Sequence, residues 1–344
     1  MVQASVLKGR VRAVLAAVAA LVVLVPATGC RPGRPAPLAG TPLSGLRDGN
    51  QFVPAWLPDG WIYFGFQPAD VSQRVQIWRT RPGGSPERVA LPDLAGCRLT
   101  DYRLPSRLPD GRLGLSRECL TDDPARDHID LVAVDPATKA VQILANLGLT
   151  NPSDAAWAPG LTTGFVAHAD SSCASIAPLA HGAAGTFPGP VVIAGKARAL
   201  DFAFRAPPSR TCAPDQIRAD LVRLTPDGRT LVFLASLASR SDSPWSLYRW
   251  RLDGGQPEEI SAGFGDPLGI DLAPDGKSVV VGAPVDGADG LWRVDLATRA
   301  RTRVAGGRLL EPAISPGGDR VVAVVQHGDG VNDTELRLFP FPRA

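Results

Sequence analysis

The stretch LTPDGRTLVFLA, Leu224 to Ala235, decides the fold. Pro226-Asp227-Gly228 is a turn. Proline pre-sets φ for the first corner, aspartate can accept from its own backbone two residues on, and glycine takes positive φ at no steric cost. Thr230 to Ala235 is apolar, with threonine and valine branched at Cβ, which suits a strand buried on both faces. A single such unit is a hairpin. Here it recurs.

Working outward, the same unit stands at Trp56-Leu57-Pro58-Asp59-Gly60 before WIYFGF, at Leu108-Pro109-Asp110-Gly111 before RLGLS, and at Ala158-Pro159-Gly160 before LTTGFVAH. It returns at Ala273-Pro274-Asp275-Gly276 before KSVVVGA and at Ser315-Pro316-Gly317-Gly318 before RVVAVV. The steps between turn prolines are 51, 50, 67, 48 and 42 residues. A repeat of about 40 to 50 residues built from short strands is the signature of a β-propeller blade. One loop after each turn lies a second apolar run: QIWRTRPGG, IDLVAVDPAT, LYRWRLDGG, LWRVDLAT and ELRLFPFP. These read as third strands, and PERVAL, AVQILA, PEEIS and RTRVAG as fourth strands. The expectation is an all-β, six-bladed propeller of four-stranded antiparallel blades over residues 49–344.

Blade one covers about 50–93, blade two ends near 147 and blade three near 195; blades five and six cover about 264–306 and 307–344. The long step before blade four comes from ALDFAFRAPPSRTCAPDQIRADL, an insertion of the kind that maps to one face of repeat proteins. Blade six lacks a fourth strand of its own. A ring must close to remove its edges, and the stretch around Pro42 to Arg47 is the candidate closing strand.

Residues 1–29 read as a signal peptide. Lys8, Arg10 and Arg12 precede an apolar run from Ala13 to Val25, too short for the roughly 20 residues that a membrane helix needs. The run ends in Pro26-Ala27-Thr28-Gly29-Cys30, which resembles a bacterial lipoprotein signal cut before a lipidated cysteine, here Cys30. An ordinary secretory signal is the alternative. Residues 30–48, rich in proline and glycine, read as a tether. Removal of 1–29 takes away three basic residues and no acid, turning 36 basic against 34 acidic residues into 33 against 34. Bulk charge therefore gives no argument for nucleic acid, and neither a phosphate loop nor a basic run with interleaved aromatics is present.

Four cysteines remain, an even number that suits an oxidising compartment. Of three possible pairings, the blade alignment favours Cys97–Cys119 and Cys173–Cys212. No pair has the C-x-x-C spacing of a zinc site. His128, His168, His181 and His327 fall in no metal motif, and there is no G-x-S-x-G elbow. The expected cofactor is none, with Ca²⁺ the one candidate ion.

The unit T/A/L-P-D-G followed by three apolar residues, then L-W/Y-R-φ-D, where φ is apolar, resembles the TolB-like family of six-bladed propellers from about residue 50 onward. TolB proper carries a further N-terminal α/β domain, so the resemblance implies a TolB-like lipoprotein and not a Tol–Pal component. With the lipoprotein signal, the expectation is a non-catalytic monomer anchored on the outer face of the cell membrane that binds a protein or peptide, and the resemblance implies an envelope or translocation role for it. Secretion into the medium is the alternative location.

Two sets of acids are candidates. Loops between second and third strands carry Asp70, Asp122, Asp123, Asp127, Asp170, Asp242, Asp286, Asp289, Asp329 and Asp333, a candidate binding rim for a basic peptide. The opposite loops carry Arg79, Arg81, Arg88, Lys139, Arg299, Arg301 and Arg303. The competing reading is a funnel-site enzyme, a metal- or quinone-dependent dehydrogenase or a lactonase, for which Asp101, Asp154, Asp271 and Glu311 are the inner-strand acids.

Overall fold

The computed structural model describes residues 40–46, 48–70, 73–149, 151–169, 174–180, 191–193, 196–198, 217–237, 244–327 and 333–342. Among them the chain is all β, apart from one short 3-10 turn at Pro124–Arg126. The antiparallel sheets stand in a propeller-like arrangement.

The repeated turns form as their residues dictate. In four of them the aspartate accepts from the backbone two residues on: Asp59 from Trp61 N (3.0 Å), Asp110 from Arg112 N (3.1 Å), Asp227 from Arg229 N and Asp275 from Lys277 N (both 3.0 Å). Gly228 has φ 68° and donates to Thr225 O at 2.7 Å, closing the turn.

Each turn joins the first two strands of a meander. The first sheet runs Gly49–Trp56, Ile62–Pro68, Gln76–Thr80, Glu87–Arg88, and the second Leu99–Arg107, Leu113–Leu120, His128–Val134, Val141–Asn146. The third contains Asp154–Trp157, Thr163–Ala169 and Ala174–Ala180, three strands among the described residues rather than four. Two further meanders begin at Ile217–Leu224 and Gly269–Leu272. They run together as one eight-stranded sheet because a single pair, Phe264 opposite Val285, bridges them.

The last sheet takes Leu309–Ile314, Arg320–Gln326 and Thr334–Pro340, and its outermost strand comes from the other end of the chain. Thr41 and Pro42 pair with Leu338 and Arg337, and Leu43 N donates to Leu336 O at 2.9 Å. Residues read as part of the tether thus lie on the sheet, and the strand starts one residue before the expected closing stretch and shares Pro42 with it.

Strands buried on both faces explain why these sheets stack. In Thr230–Leu237, Leu231, Phe233 and Ala235 pack toward the third sheet, while Val232 and Leu234 pack toward the following meander. The same alternation operates at the junction of last and first sheets, where Val322, Val324 and Leu336 meet Ile62, Phe64 and Phe66. Side chains of this size contribute about 1.5–3 kcal/mol each when fully buried. Trp56, Trp157, Trp245 and Trp250 belong to these inter-sheet layers, whereas Trp61 lies under the guanidinium groups of Arg79 and Arg81.

Cys97 and Cys119 form a disulfide with Cα atoms 5.4 Å apart, tying the entrance of the second sheet's first strand to its second strand. Cys173 and Cys212 lie outside the described residues, as does Cys30.

Candidate functional site

The first strand of each meander is the innermost. Gly49–Trp56 touches Leu99–Arg107 on one side and Leu309–Ile314 on the other, and Gly269–Leu272 lies between Ile217–Leu224 and Leu309–Ile314. These strands enclose an axial cavity of about 610 Å³, within the range of small-molecule pockets. All six turn prolines, Pro58, Pro109, Pro159, Pro226, Pro274 and Pro316, line it. Successive turns lie side by side: a Cβ on Gly228 would stand 2.8 Å from Pro159 Cδ.

Counting back five residues from each turn proline gives Val53, Leu104, Asp154, Leu221, Gly269 and Glu311, and all six line the cavity. Val53, Leu104, Leu221 and Glu311 have φ of 45°, 52°, 54° and 45°. At those positions the strand pairing skips, between Phe52 and Ala55, Arg103 and Ser106, Asp220 and Arg223, and Leu310 and Ala313. Non-glycine residues held at positive φ cost about 1–3 kcal/mol each and gather at functional sites. The bulge withdraws backbone N–H groups from the ladder and turns them to side-chain acceptors.

Carboxylates receive those groups. Glu311 Oε2 accepts from Val53 N at 2.6 Å, Asp154 Oδ2 from Val222 N at 3.0 Å, and Asp271 Oδ2 from Ile314 N at 2.7 Å. Each bond joins an inner-strand acid to the neighbouring inner strand. Asp220 accepts from Leu221 N and from the Ser153 hydroxyl, both at 2.7 Å. Gly269 is needed for the closest approach, since a Cβ there would stand 2.5 Å from Glu311 Cα.

The two ends of this array differ in charge compensation. Arg223 bonds Asp154 through Nη1 and reaches Asp271 through Nε at 3.3 Å, and it also donates to Val222 O at 2.7 Å. Burial opposes its charge, but Asp154 and Asp271 outweigh that and raise its pKa. Burial pushes the Asp154 carboxyl up to about 6; Arg223 opposes this and the Asp220 charge adds to it. Glu311 has no cationic partner among the described residues. Burial pushes its carboxyl up to about 7, opposed only by the Val53 N–H. Glu311 is half-buried and lines the cavity.

No family model matches the chain, and no curated protein matches it. Solved structures do. TolB from Acinetobacter baumannii superposes with a TM-score of 0.52 and 16% identity, covering 82% of this chain and 63% of that one. The chain folds like TolB. The match spans less than two thirds of that TolB's length. An oligogalacturonate lyase in complex with manganese gives 0.51 and 12% identity over 86% of this chain and 78% of that one. A puromycin-hydrolyzing peptidase of Mycobacterium tuberculosis gives 0.51 and 13% over 85% and 53%.

The likeness to TolB agrees with the resemblance read from the repeats. It corrects the functional expectation. A non-catalytic role for a protein- or peptide-binding platform was inferred from the repeat, yet the same fold occurs in a lyase and a peptidase. The repeat encodes turns and layers, and those leave the chemistry of the axis free to vary.

Of the inner-strand acids named from sequence, Asp154, Asp271 and Glu311 line the cavity, whereas Asp101 turns to Arg103 at 2.7 Å on the second sheet. Arg223 and Asp220 were missed because their strand follows the long insertion. The five- and three-residue offsets from Pro226 would have placed Leu221 and Arg223 on the axis.

None of the described rim aspartates lines the cavity. Asp123 accepts from Ala125 N and Asp127 from Thr121 N, both shaping their own loop. Asp70 accepts from Gln73 Nε2 at 3.4 Å, while Asp122 lies 3.9 Å from Arg98 and Asp286 3.8 Å from Arg301. Asp289 and Asp333 are exposed, and Asp170, Asp242 and Asp329 lie outside the described residues. His128 and His327 each stand beside a buried acid, Asp130 at 3.6 Å and Glu335 at 3.4 Å, rather than beside each other. His181 lies outside the described residues. Among the described residues no three His, Cys, Asp or Glu side chains converge as metal ligands, and no helix is long and apolar enough to cross a membrane.

Proposed function

We propose that this protein is an exported six-bladed propeller whose working site is the axial cavity, where a small organic ligand binds beside Glu311, a carboxyl that gains or loses a proton near neutral pH. The observation that carries the reading is Glu311 itself: a carboxyl on the cavity wall, held by one backbone donor, with no cationic partner among the described residues, and pushed by burial to a pKa of about 7. A group titrating near the working pH is suited to general acid–base transfer. The strained bulges at the same level support a site rather than mere filling. Six blades are supported by the six cavity-lining turns and by the packing of the last sheet on the first.

Glutamate-selective ¹³C labelling tests this directly. One carboxyl resonance is expected to titrate near pH 7 and to vanish in Glu311→Gln. Titration of every glutamate below about pH 5.5 would overturn the reading.

We also infer that the chain is anchored through a lipid on Cys30, which would hold the propeller at the membrane surface. Cys30→Ala is then expected to move the protein from the membrane fraction to the medium. A variant that stays in the membrane fraction contradicts the anchor.

A further inference from the structure

We infer that the ligand of the axial cavity is an organic cation, a protonated amine on an apolar body, with its ammonium against Glu311 and its body along Leu104, Leu221 and Leu268. The inference rests on the reading of the cavity as the working site and adds the ligand's chemical class.

Charge compensation carries it. Buried ions persist when they are paired. At one end of the cavity a single cation of the chain, Arg223, serves both Asp154 and Asp271. At the other end no cation among the described residues serves Glu311. Its neighbouring strand Gly49–Trp56 supplies a backbone N–H and no titratable side chain. The strand Gly269–Leu272 supplies only another acid, Asp271. Arg107, also on the wall, reaches the carbonyl of Ile314 at 3.4 Å and forms no ion pair with Glu311. Across the cavity stand Asp154 and Arg223, already joined to each other. The counter-charge that would let Glu311 ionise is therefore one the ligand brings.

Other ligand classes fit less well. An anion would meet three carboxyls against two guanidinium groups, one of which, Arg223, is held between two of those acids. A bare metal ion would lack converging donors. The remaining wall is mostly apolar, rich in leucine, proline and alanine, with the hydroxyls of Ser106, Ser116, Ser153 and Thr225 among it, which favours an apolar body of moderate size.

Binding then displaces a proton. Below pH 7 the carboxyl is protonated in the free protein; an ammonium stabilises the carboxylate, and the carboxyl proton goes to solvent while the amine keeps its own. Affinity is expected to rise about tenfold from pH 6 to pH 8, following the ionised fraction of Glu311.

Titration calorimetry with phenethylamine and its neutral isostere 2-phenylethanol, in two buffers of different ionisation enthalpy, tests the assignment. The expected result is proton release with the amine at pH 6 and none at pH 8. The alcohol should bind at least tenfold more weakly, and Glu311→Gln should lose both the preference and the pH dependence. Equal binding of the alcohol, or an amine that neither binds at millimolar concentration nor displaces a proton, overturns the cation. If Glu311 still titrates near pH 7 in the labelled protein, the proton-exchanging site survives that failure. A Glu311 that titrates in the ordinary carboxylate range overturns both.

Discussion

At pH 8, Glu311→Gln is expected to be more stable than the parent protein by up to about 3 kcal/mol, and at pH 4 the two are expected to converge. The sign follows from the raised pKa. The folded carboxyl titrates at about 7 against an ordinary 4.5. Between those values the folded state holds a proton that the unfolded chain has given up. Stability therefore falls as pH rises through that window and stays lowered above it. Glutamine keeps an oxygen for the Val53 N–H and cannot ionise, so it removes the penalty. Urea unfolding followed by tryptophan fluorescence at pH 4, 6 and 8 reads the effect. Parallel pH profiles for the two proteins would mean that Glu311 has an ordinary pKa and that the cavity is wet enough to solvate it. A protein that keeps a residue costing this much where glutamine would fit keeps it for something other than folding.

The sequence was most legible where a residue's role is local. Proline, aspartate and glycine in LTPDGR specify a turn by their own geometry, and Asp227 makes the bond to Arg229 N that its position suggests. The alternating burial of Leu231 to Ala235 follows from a strand with apolar residues on both faces. A closing strand was expected because a ring with a missing edge demands one, and the strand that forms, Thr41–Pro42, shares only Pro42 with the stretch expected to supply it. Legibility failed where the outcome depends on what surrounds a residue. Nothing in Val53 or Leu104 announces positive φ, and valine ordinarily resists it; the neighbouring strands impose the bulge. Burial and the lack of a cation set the Glu311 pKa, and both are properties of the assembled axis. The rim aspartates drew attention as loop residues, and several of the described ones shape their own loops. The inference from repeat to non-catalytic role failed for a different reason, since propeller geometry does not prescribe what lines its axis.

Replacement of Arg223 by Met is expected to cost about 3–5 kcal/mol at pH 8, the loss typical of stripping one partner from a buried ion pair. Two acids depend on this one cation, for Asp154 and Asp271 both lie on its guanidinium. Methionine keeps much of the side-chain volume, so the loss reports charge rather than a cavity. The cost should shrink toward pH 5, because Asp154, already raised to about 6 by burial, rises further without Arg223 and takes up a proton. Adding Asp154→Asn to Arg223→Met should recover a large part of the loss at pH 8, leaving Asp271 with its Ile314 N–H bond. A loss below about 1 kcal/mol, or one that does not change with pH, would show that water compensates these acids and that Arg223 is peripheral. The two variants thus move stability in opposite directions at the same pH. That opposition separates their roles: the carboxylates that share Arg223 hold the inner strands together, and the one without a cation among the described residues is available to a ligand.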